Sequence, residues 1–159
     1  MLDEDDIASF LGTTYPRLVN ATALVCGNRA SAEDAVQEAL ARAWERSRGG
    51  LEIESLEAWV TTVALNLARS ALRRRLAEGR ARRRMVFGHS SPGIEDRVAL
   101  RGALALLTPR QREVAVLRYY LDLDVAEVAA RIGVTEGTVK TLLHRARLTL
   151  GAALGISEE

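Results

Sequence analysis

The chain has 159 residues, 48% hydrophobic and 27% charged, which suffices for one ordinary domain or two small ones and excludes intrinsic disorder. Its single cysteine, Cys26, excludes an internal disulfide, and no residue cluster has the spacing of a metal site. The acidic N-terminus does not resemble a signal peptide, and no apolar run approaches the roughly 20 residues that span a bilayer. We therefore expect a cytoplasmic protein without membrane insertion, metal or cofactor.

Charge is distributed unevenly along the chain, although the net charge is only +1. Residues 1–65 hold 11 acidic and 5 basic side chains, whereas residues 66–84 hold 8 arginines and one acidic residue, Glu78. Segregation of this kind indicates two partners of opposite charge rather than general solubility. Because alanine, leucine and arginine dominate and no strand-like alternation occurs, the sequence favours an all-α fold.

The first predicted helix begins near Ile7, breaks near Pro16 and ends near Cys26. Ser31 resembles an N-cap with Asp34 three residues later, which predicts the start of the next helix. That helix has an apolar stripe that we expect to face the core, made of Ala35, Val36, Ala39, Leu40, Ala43 and Trp44. Its acidic opposite face does not suit DNA and indicates either a protein partner or a plain solvated surface.

Ser55 is the predicted cap of a longer helix. Apolar residues recur along it with a helical period and predict its core face: Leu56, Trp59, Val60, Val63, Ala64, Leu67, Ala68, Ala71 and Leu72. Trp59 follows this period, so we expect it to pack in the core rather than to stack on a base. The other face carries Asn66 and several arginines, and such a density of arginine favours phosphate binding, although a solvated basic face is the alternative.

Helical periodicity stops at residues 81–93, which we interpret as a flexible linker between domains at 1–80 and 94–159. Further along the chain, Thr108-Pro109 with Gln111, and Asp124 with Glu127, have the pattern of capped helix starts. Two short helices then follow within residues 125–150, with a turn at Gly133 and a second start at Thr135. This arrangement predicts a helix-turn-helix.

The last predicted helix has the pattern of a DNA recognition helix. Its apolar residues, expected to face inward, are Val139, Leu143, Ala146 and Leu150. Its outer face presents side chains of the kind that contact base edges and phosphates in the major groove, namely Thr138, Lys140, Thr141, His144 and Arg145. Gly137 permits close backbone approach. An ordinary helical hairpin with a basic face is the alternative.

Four segments, AEDAVQEALARAW, WVTTVALNLARSALRRR, LTPRQREVAVLRYY and GTVKTLLHRAR, occur in this order. Together they resemble an extracytoplasmic-function (group IV) sigma factor of the sigma-70 family, from about Phe10 to Leu150. The resemblance implies a sigma-2-like domain that binds the β′ clamp helices of core RNA polymerase and reads the −10 element. It also implies a sigma-4-like domain that reads the −35 element of promoter DNA and contacts the β-flap. An anti-sigma factor is a further implied partner.

The same resemblance implies roles for individual residues. It assigns polymerase binding to Asp34, Gln37, Glu38 and Arg42, and −10 recognition to Asn66, Arg69, Arg73 and Arg74. It assigns −35 recognition to Thr135, Gly137, Thr138, Lys140, Thr141, His144 and Arg145. Ser70 stands where the family usually has aspartate and Leu142 where it often has arginine, so one ion pair and one −35 contact of the family are not expected here.

Other classes of function stay open on the sequence alone. The runner-up is a conventional helix-turn-helix regulator that acts without polymerase, which the acidic helix and the large N-terminal domain disfavour. An RNA-binding or protein-interaction module that uses only the arginine-bearing helix is disfavoured by the helix-turn-helix. An enzyme is least expected, because no nucleophile, base and orienting group cluster and no phosphate loop occurs.

Overall fold

The computed structural model describes residues 1–79 and 94–155, and the side chains of the second range from residue 98 onward. The chain separates into two compact units, residues 1–87 and 88–159. Every regular element within the described ranges is a helix, which confirms the predicted all-α class. The predicted linker, residues 81–93, lies outside the described residues. No helix in the described part of the chain is long and apolar enough to cross a membrane.

The first unit contains four helices: α1 (Glu4–Thr13), α2 (Tyr15–Cys26), α3 (Arg29–Arg48) and α4 (Leu56–Ala77). α3 packs most extensively on α4, and both contact α2, on which α1 also packs. Alanines line the buried faces of α3 and α4, and these small side chains allow close packing of the two helices. They are Ala32, Ala35, Ala39 and Ala43 on α3 and Ala64 and Ala68 on α4.

The break between α1 and α2 lies at Thr14, close to the predicted position. Pro16 lies in the first turn of α2, where its missing N–H removes no intrahelical hydrogen bond. α1 begins three residues before the predicted position, because Asp3 and Asp6 form a reciprocal capping box. A short acidic side chain satisfies the free N–H groups of a first turn as well as serine does.

The predicted cap of α3 at Ser31 is wrong. The helix begins at Arg29, and the N-cap is Asn28, whose Oδ1 accepts a hydrogen bond from the backbone N–H of Ser31 at 2.8 Å. Gly27 ends α2 with φ 73°, a conformation that favours glycine. The extended Asn28 follows it directly. Asparagine and serine are equally good caps, and here the side chain of Asn28 takes the N–H of Ser31, so Ser31 lies within the first turn.

The core face of α4 is wider than its predicted stripe. Leu65, which lies outside that stripe, is fully buried together with Val60, because α4 packs on both α2 and α3. Trp59 is only half-buried, as are Val63 and Leu67. The prediction that Trp59 packs in the core is therefore wrong in part, since the residue is partly exposed. Ser55 caps the helix as predicted, accepting from the N–H of Ala58 at 3.1 Å.

The second unit consists of α5 (Ile94–Ala105), α6 (Pro109–Ala115) followed by a π-helical turn (Val116–Tyr120), α7 (Val125–Ile132) and α8 (Glu136–Leu154). The predicted caps at Thr108, Asp124 and Thr135 are confirmed. Arg112 is a buried arginine of α6. It donates to the carbonyl oxygens of Leu104 at 2.9 Å and Leu107 at 3.1 Å, satisfying backbone acceptors at and beyond the end of α5. This contact joins the end of α5 to α6.

Candidate functional site

The acidic face of α3 is exposed as predicted. Asp34, Gln37, Glu38 and Arg42 all have exposed side chains. Arg42 Nε donates to Glu38 Oε1 at 2.7 Å, and Gln37 Nε2 donates to the hydroxyl oxygen of Tyr15 at 3.1 Å. Both members of the Arg42–Glu38 pair are about half exposed, so this pair adds little stability. Four polar groups on two turns of helix are therefore available to a partner.

An apolar groove of about 570 Å³ lies beside this acidic face. It is formed where α1 and the start of α2 meet α3, and is lined by Ile7, Leu11, Tyr15, Gln37, Leu40, Ala41 and Trp44. The prediction that Leu40 and Trp44 face the core is wrong, because both are only half-buried and line this open groove. A 3.6-residue period identifies the apolar side of a helix but does not distinguish a closed core from an open groove. The sequence pattern therefore gives no indication of this groove.

The predicted −10 residues lie along one stretch of α4 and differ in their surroundings. Asn66, Arg73 and Arg74 are exposed, whereas Arg69 is half-buried. Arg69 Nη1 donates to Asn66 Oδ1 at 2.9 Å. Arg73 Nη2 donates to the Ser70 hydroxyl oxygen at 3.3 Å, so the serine supplies a neutral acceptor where the family usually has a carboxylate. The positive charge of Arg73 is consequently not offset by this neighbour.

Arg75 belongs to the same arginine run and has a structural contact that the sequence did not indicate. Its Nη2 donates to the backbone carbonyl of Cys26 at 3.2 Å. Cys26 is the last residue of α2, where carbonyls lack partners within the helix. Arg75 thus joins α4 to the end of α2. Cys26 itself is buried, and its thiol is directed to the Asn28 carbonyl oxygen at 3.4 Å.

The helix-turn-helix is formed by α7 and α8. Gly133 ends α7 with φ 71°, which favours glycine. The N–H groups of Gly133 and Val134 both donate to the carbonyl of Ala129, at 2.9 and 3.2 Å. On α8, Val139, Leu143 and Ala146 are buried as predicted, whereas Leu150 is half-buried. The turn and the buried side of α8 hold its opposite side toward solvent.

The outer side of α8 is the predicted DNA face, and Thr138, Lys140, Thr141, His144 and Arg145 are exposed there. Thr135 caps the helix by accepting from the N–H of Thr138 at 3.2 Å. Gly137 is exposed, and a Cβ there would meet only Thr135 Oγ1 at 3.9 Å. Packing within the described unit therefore does not require glycine at this position. Leu142 is half-buried at the edge of the face.

Arg147 also lies on α8 and is not among the residues predicted to contact DNA. Its Nη1 donates to the hydroxyl oxygen of Tyr119 at 3.0 Å, which joins α8 to the π-helical turn. Arg147 is exposed, but its guanidinium group already has a partner. Within the described residues, the side chains of Lys140 and Arg145 form no hydrogen bond or ion pair. Arg147 is therefore a suitable control for these two residues.

Comparison with known proteins gives matches to both units. The family described as Sigma-70 region 2 matches residues 11–77, and the family described as Sigma-70, region 4 matches residues 97–150. The chain is 37% identical over 136 residues to the ECF RNA polymerase sigma factor SigL of Mycobacterium tuberculosis, a match that covers 78% of this chain and 77% of SigL.

Two solved structures are also similar. The structure of the sigma factor RpoE in complex with the anti-sigma factor NepR from Bartonella quintana gives a TM-score of 0.78 with 28% identity, covering 98% of this chain and 100% of the chain that it matches. The structure of CnrH in complex with the cytosolic domain of CnrY gives a TM-score of 0.73 with 20% identity, covering 98% and 92% of the two chains. At that identity the second similarity shows the fold alone.

Proposed function

This chain belongs to the extracytoplasmic-function group of the sigma-70 family, and on that premise we propose how its surfaces divide the work of transcription initiation. It is a transcription initiation factor that binds core RNA polymerase and promoter DNA. We assign a sigma-2-like domain to residues 1–80 and a sigma-4-like domain to residues 94–159. Core polymerase carries out the chemistry, and this chain acts with it in the cytoplasm as a non-enzymatic factor without a cofactor.

We assign core polymerase binding to α3. The observation that carries this assignment is the row of Asp34, Gln37, Glu38 and Arg42 beside the groove at Leu40 and Trp44. Protein interfaces combine an apolar centre with a polar rim, and aromatic residues are enriched in them. The net negative charge of this face opposes DNA binding, which favours a protein as its partner. On the basis of the family relationship, we propose the clamp helices of the β′ subunit as this partner.

We assign −10 recognition to α4 and −35 recognition to α8. Arg73 and Arg74 are exposed and supply affinity through phosphate contacts, while Asn66 faces bases. On α8 the exposed Lys140, His144 and Arg145 face the major groove. Melting is driven by capture of unpaired non-template bases on α4. The sigma-4-like domain also contacts the β-flap.

Separate loss of the two binding activities tests these assignments. The variant Asp34→Ala/Gln37→Ala should weaken binding to core polymerase by about 2–5 kcal/mol if the truncation leaves a buried charge of the partner unpaired. It should bind duplex −35 DNA like wild type. The variant Lys140→Ala/Arg145→Ala should bind duplex −35 DNA more weakly than wild type and bind core polymerase like wild type. Both affinities can be measured by fluorescence anisotropy, with circular dichroism as the folding control.

Glu57→Ala is the matched control for the α3 variant. Glu57 is an exposed carboxylate in the first turn of α4, so its removal changes the charge of the first unit by the same amount. Affinity for core polymerase should stay at the wild-type value in this control. A folded Asp34→Ala/Gln37→Ala protein that binds core polymerase as tightly as the control would refute the assignment of α3.

We also propose that an anti-sigma factor regulates this chain. The similar chains RpoE and CnrH were solved in complexes, and NepR, the partner of RpoE, is an anti-sigma factor. A conventional regulator that acts without polymerase is not favoured, because such a protein has no use for a region 2 domain. Affinity purification from the native host, followed by mass spectrometry, should recover both core polymerase and a smaller regulatory protein. Recovery of polymerase alone would refute the proposal of an anti-sigma partner.

A further inference from the structure

Asn66 and Arg69 form a hydrogen bond, and the chemistry of the two groups decides which of them donates and which accepts. The Nη1 atom of Arg69 lies 2.9 Å from Oδ1 of Asn66. A guanidinium group contains only donors, so the atom of Asn66 that faces it must be the carbonyl oxygen and not the amide nitrogen. The amide NH₂ group of Asn66 is therefore the end that points away from Arg69.

The two members of this pair are not equally exposed. Asn66 is exposed, whereas Arg69 is half-buried and its Nε atom lies below the surface. A half-buried side chain whose Nε atom is already buried loses little further freedom when it holds a neighbour. Arg69 is therefore suited to hold the amide of Asn66, while Asn66 is suited to reach a ligand.

We infer that Arg69 is a positioning residue that turns the amide NH₂ of Asn66 toward an unpaired base, so that Asn66 reads this base as a donor. This inference rests on the proposed role of α4 in −10 recognition. Asparagine binds adenine by using its oxygen for the amino group and its NH₂ for the adjacent ring nitrogen. Here the oxygen faces the guanidinium of Arg69, which takes one of its two lone pairs and repels the positively polarised amino group of adenine. The pair therefore disfavours adenine and favours bases with neighbouring acceptors, such as O6 and N7 of guanine or O2 and N3 of cytosine.

Base preference in the assembled holoenzyme tests the inference. Core polymerase with the full chain is incubated with fork-junction DNA in which the unpaired non-template bases of the −10 element are randomised, and bound DNA is sequenced. Asn66→Ala identifies the position that Asn66 reads, because preference is lost there. At that position wild type should disfavour adenine. Arg69→Met should raise the relative binding of adenine roughly fivefold or more, the lower end of the range for one bidentate base contact.

Two further variants test whether the change in base preference comes from the hydrogen bond that Arg69 donates to Asn66. Arg69→Lys still donates to Oδ1 and should keep the wild-type preference. Arg73→Met removes a neighbouring arginine that pairs with Ser70, and it should weaken binding to every sequence without changing the preference. Because preference is a ratio among competing DNA molecules in one tube, it does not depend on the fraction of folded protein.

The remaining outcomes separate this inference from the proposed function. If Arg69→Met weakens all sequences equally and leaves the preference at the Asn66 position intact, Arg69 contacts phosphate and the inference is overturned while −10 recognition by Asn66 stands. If Asn66→Ala changes the preference at no position, the assignment of Asn66 to base recognition fails, and the inference fails with it.

Discussion

Arg74 and Arg75 are neighbours on α4 with different surroundings. Arg74 is exposed, whereas Arg75 is half-buried and donates to the Cys26 carbonyl. One residue step turns a side chain by about 100° around the helix axis. That rotation places one guanidinium in solvent and the other at the end of α2. In the sequence they belong to one arginine run, because the carbonyl that distinguishes them comes from a residue 49 positions away.

This difference predicts effects of different size on stability when each arginine is replaced by methionine. Arg75→Met should lower the free energy of unfolding of the first unit by about 1–2 kcal/mol, since it removes a charged hydrogen bond to a helix end. Arg74→Met should change it by less than about 0.5 kcal/mol. Both tryptophans, Trp44 and Trp59, lie in the first unit, so urea unfolding followed by tryptophan fluorescence reports on that unit. Equal destabilisation by the two variants would contradict the assigned roles.

At the scale of elements, the caps show what local sequence determines. Thr108 with Gln111 and Asp124 with Glu127 were predicted correctly, because both partners of each box lie within one helical turn. The start of α3 was mispredicted, because Asn28 and Ser31 are comparable caps only three residues apart. The open groove at Leu40 and Trp44 depends on where α1 and α2 leave α3 uncovered, and periodicity within α3 contains no such information.

For α8, the structure predicts which basic residues matter for DNA. Lys140→Ala or Arg145→Ala should weaken binding to −35 duplex DNA by about 1–3 kcal/mol if the side chain contacts a base, and less if it contacts phosphate alone. Arg147→Ala should have a smaller effect, because its guanidinium is held by Tyr119 at 3.0 Å. Titration at several salt concentrations is the measurement. A larger loss with Arg147→Ala than with both other variants would mean that the DNA face is placed incorrectly.

At the scale of the whole molecule, the two units have separate cores. Leu65 is 1% exposed in the first unit and Leu143 is 3% exposed in the second. From the loss of periodicity at residues 81–93 the sequence predicts domains at 1–80 and 94–159, and these bounds stay a prediction. It also predicted the buried side of α8 and the exposed side of α3. It could not determine the contacts made between distant segments, such as that of Arg75 with Cys26.

Separate cores predict separate unfolding. Leu143→Ala should destabilise the second unit by about 2–5 kcal/mol and leave the transition seen by tryptophan fluorescence unchanged. Leu65→Ala should move that fluorescence transition by a comparable amount. Circular dichroism of each variant should then show a lower melting temperature for the altered unit and an unchanged one for the other unit. If Leu143→Ala shifts the tryptophan transition as much as Leu65→Ala does, the units do not fold independently.

The central claim is that this chain directs core polymerase to promoters through surfaces on both units. Run-off transcription with core bacterial RNA polymerase, on a pool of genomic promoter fragments, tests it most directly. We expect discrete transcripts that require the wild-type chain. These transcripts should be lost with Asp34→Ala/Gln37→Ala, although that variant keeps its affinity for −35 duplex DNA. Absence of any chain-dependent transcript, or undiminished transcription with the folded α3 variant, would contradict the account.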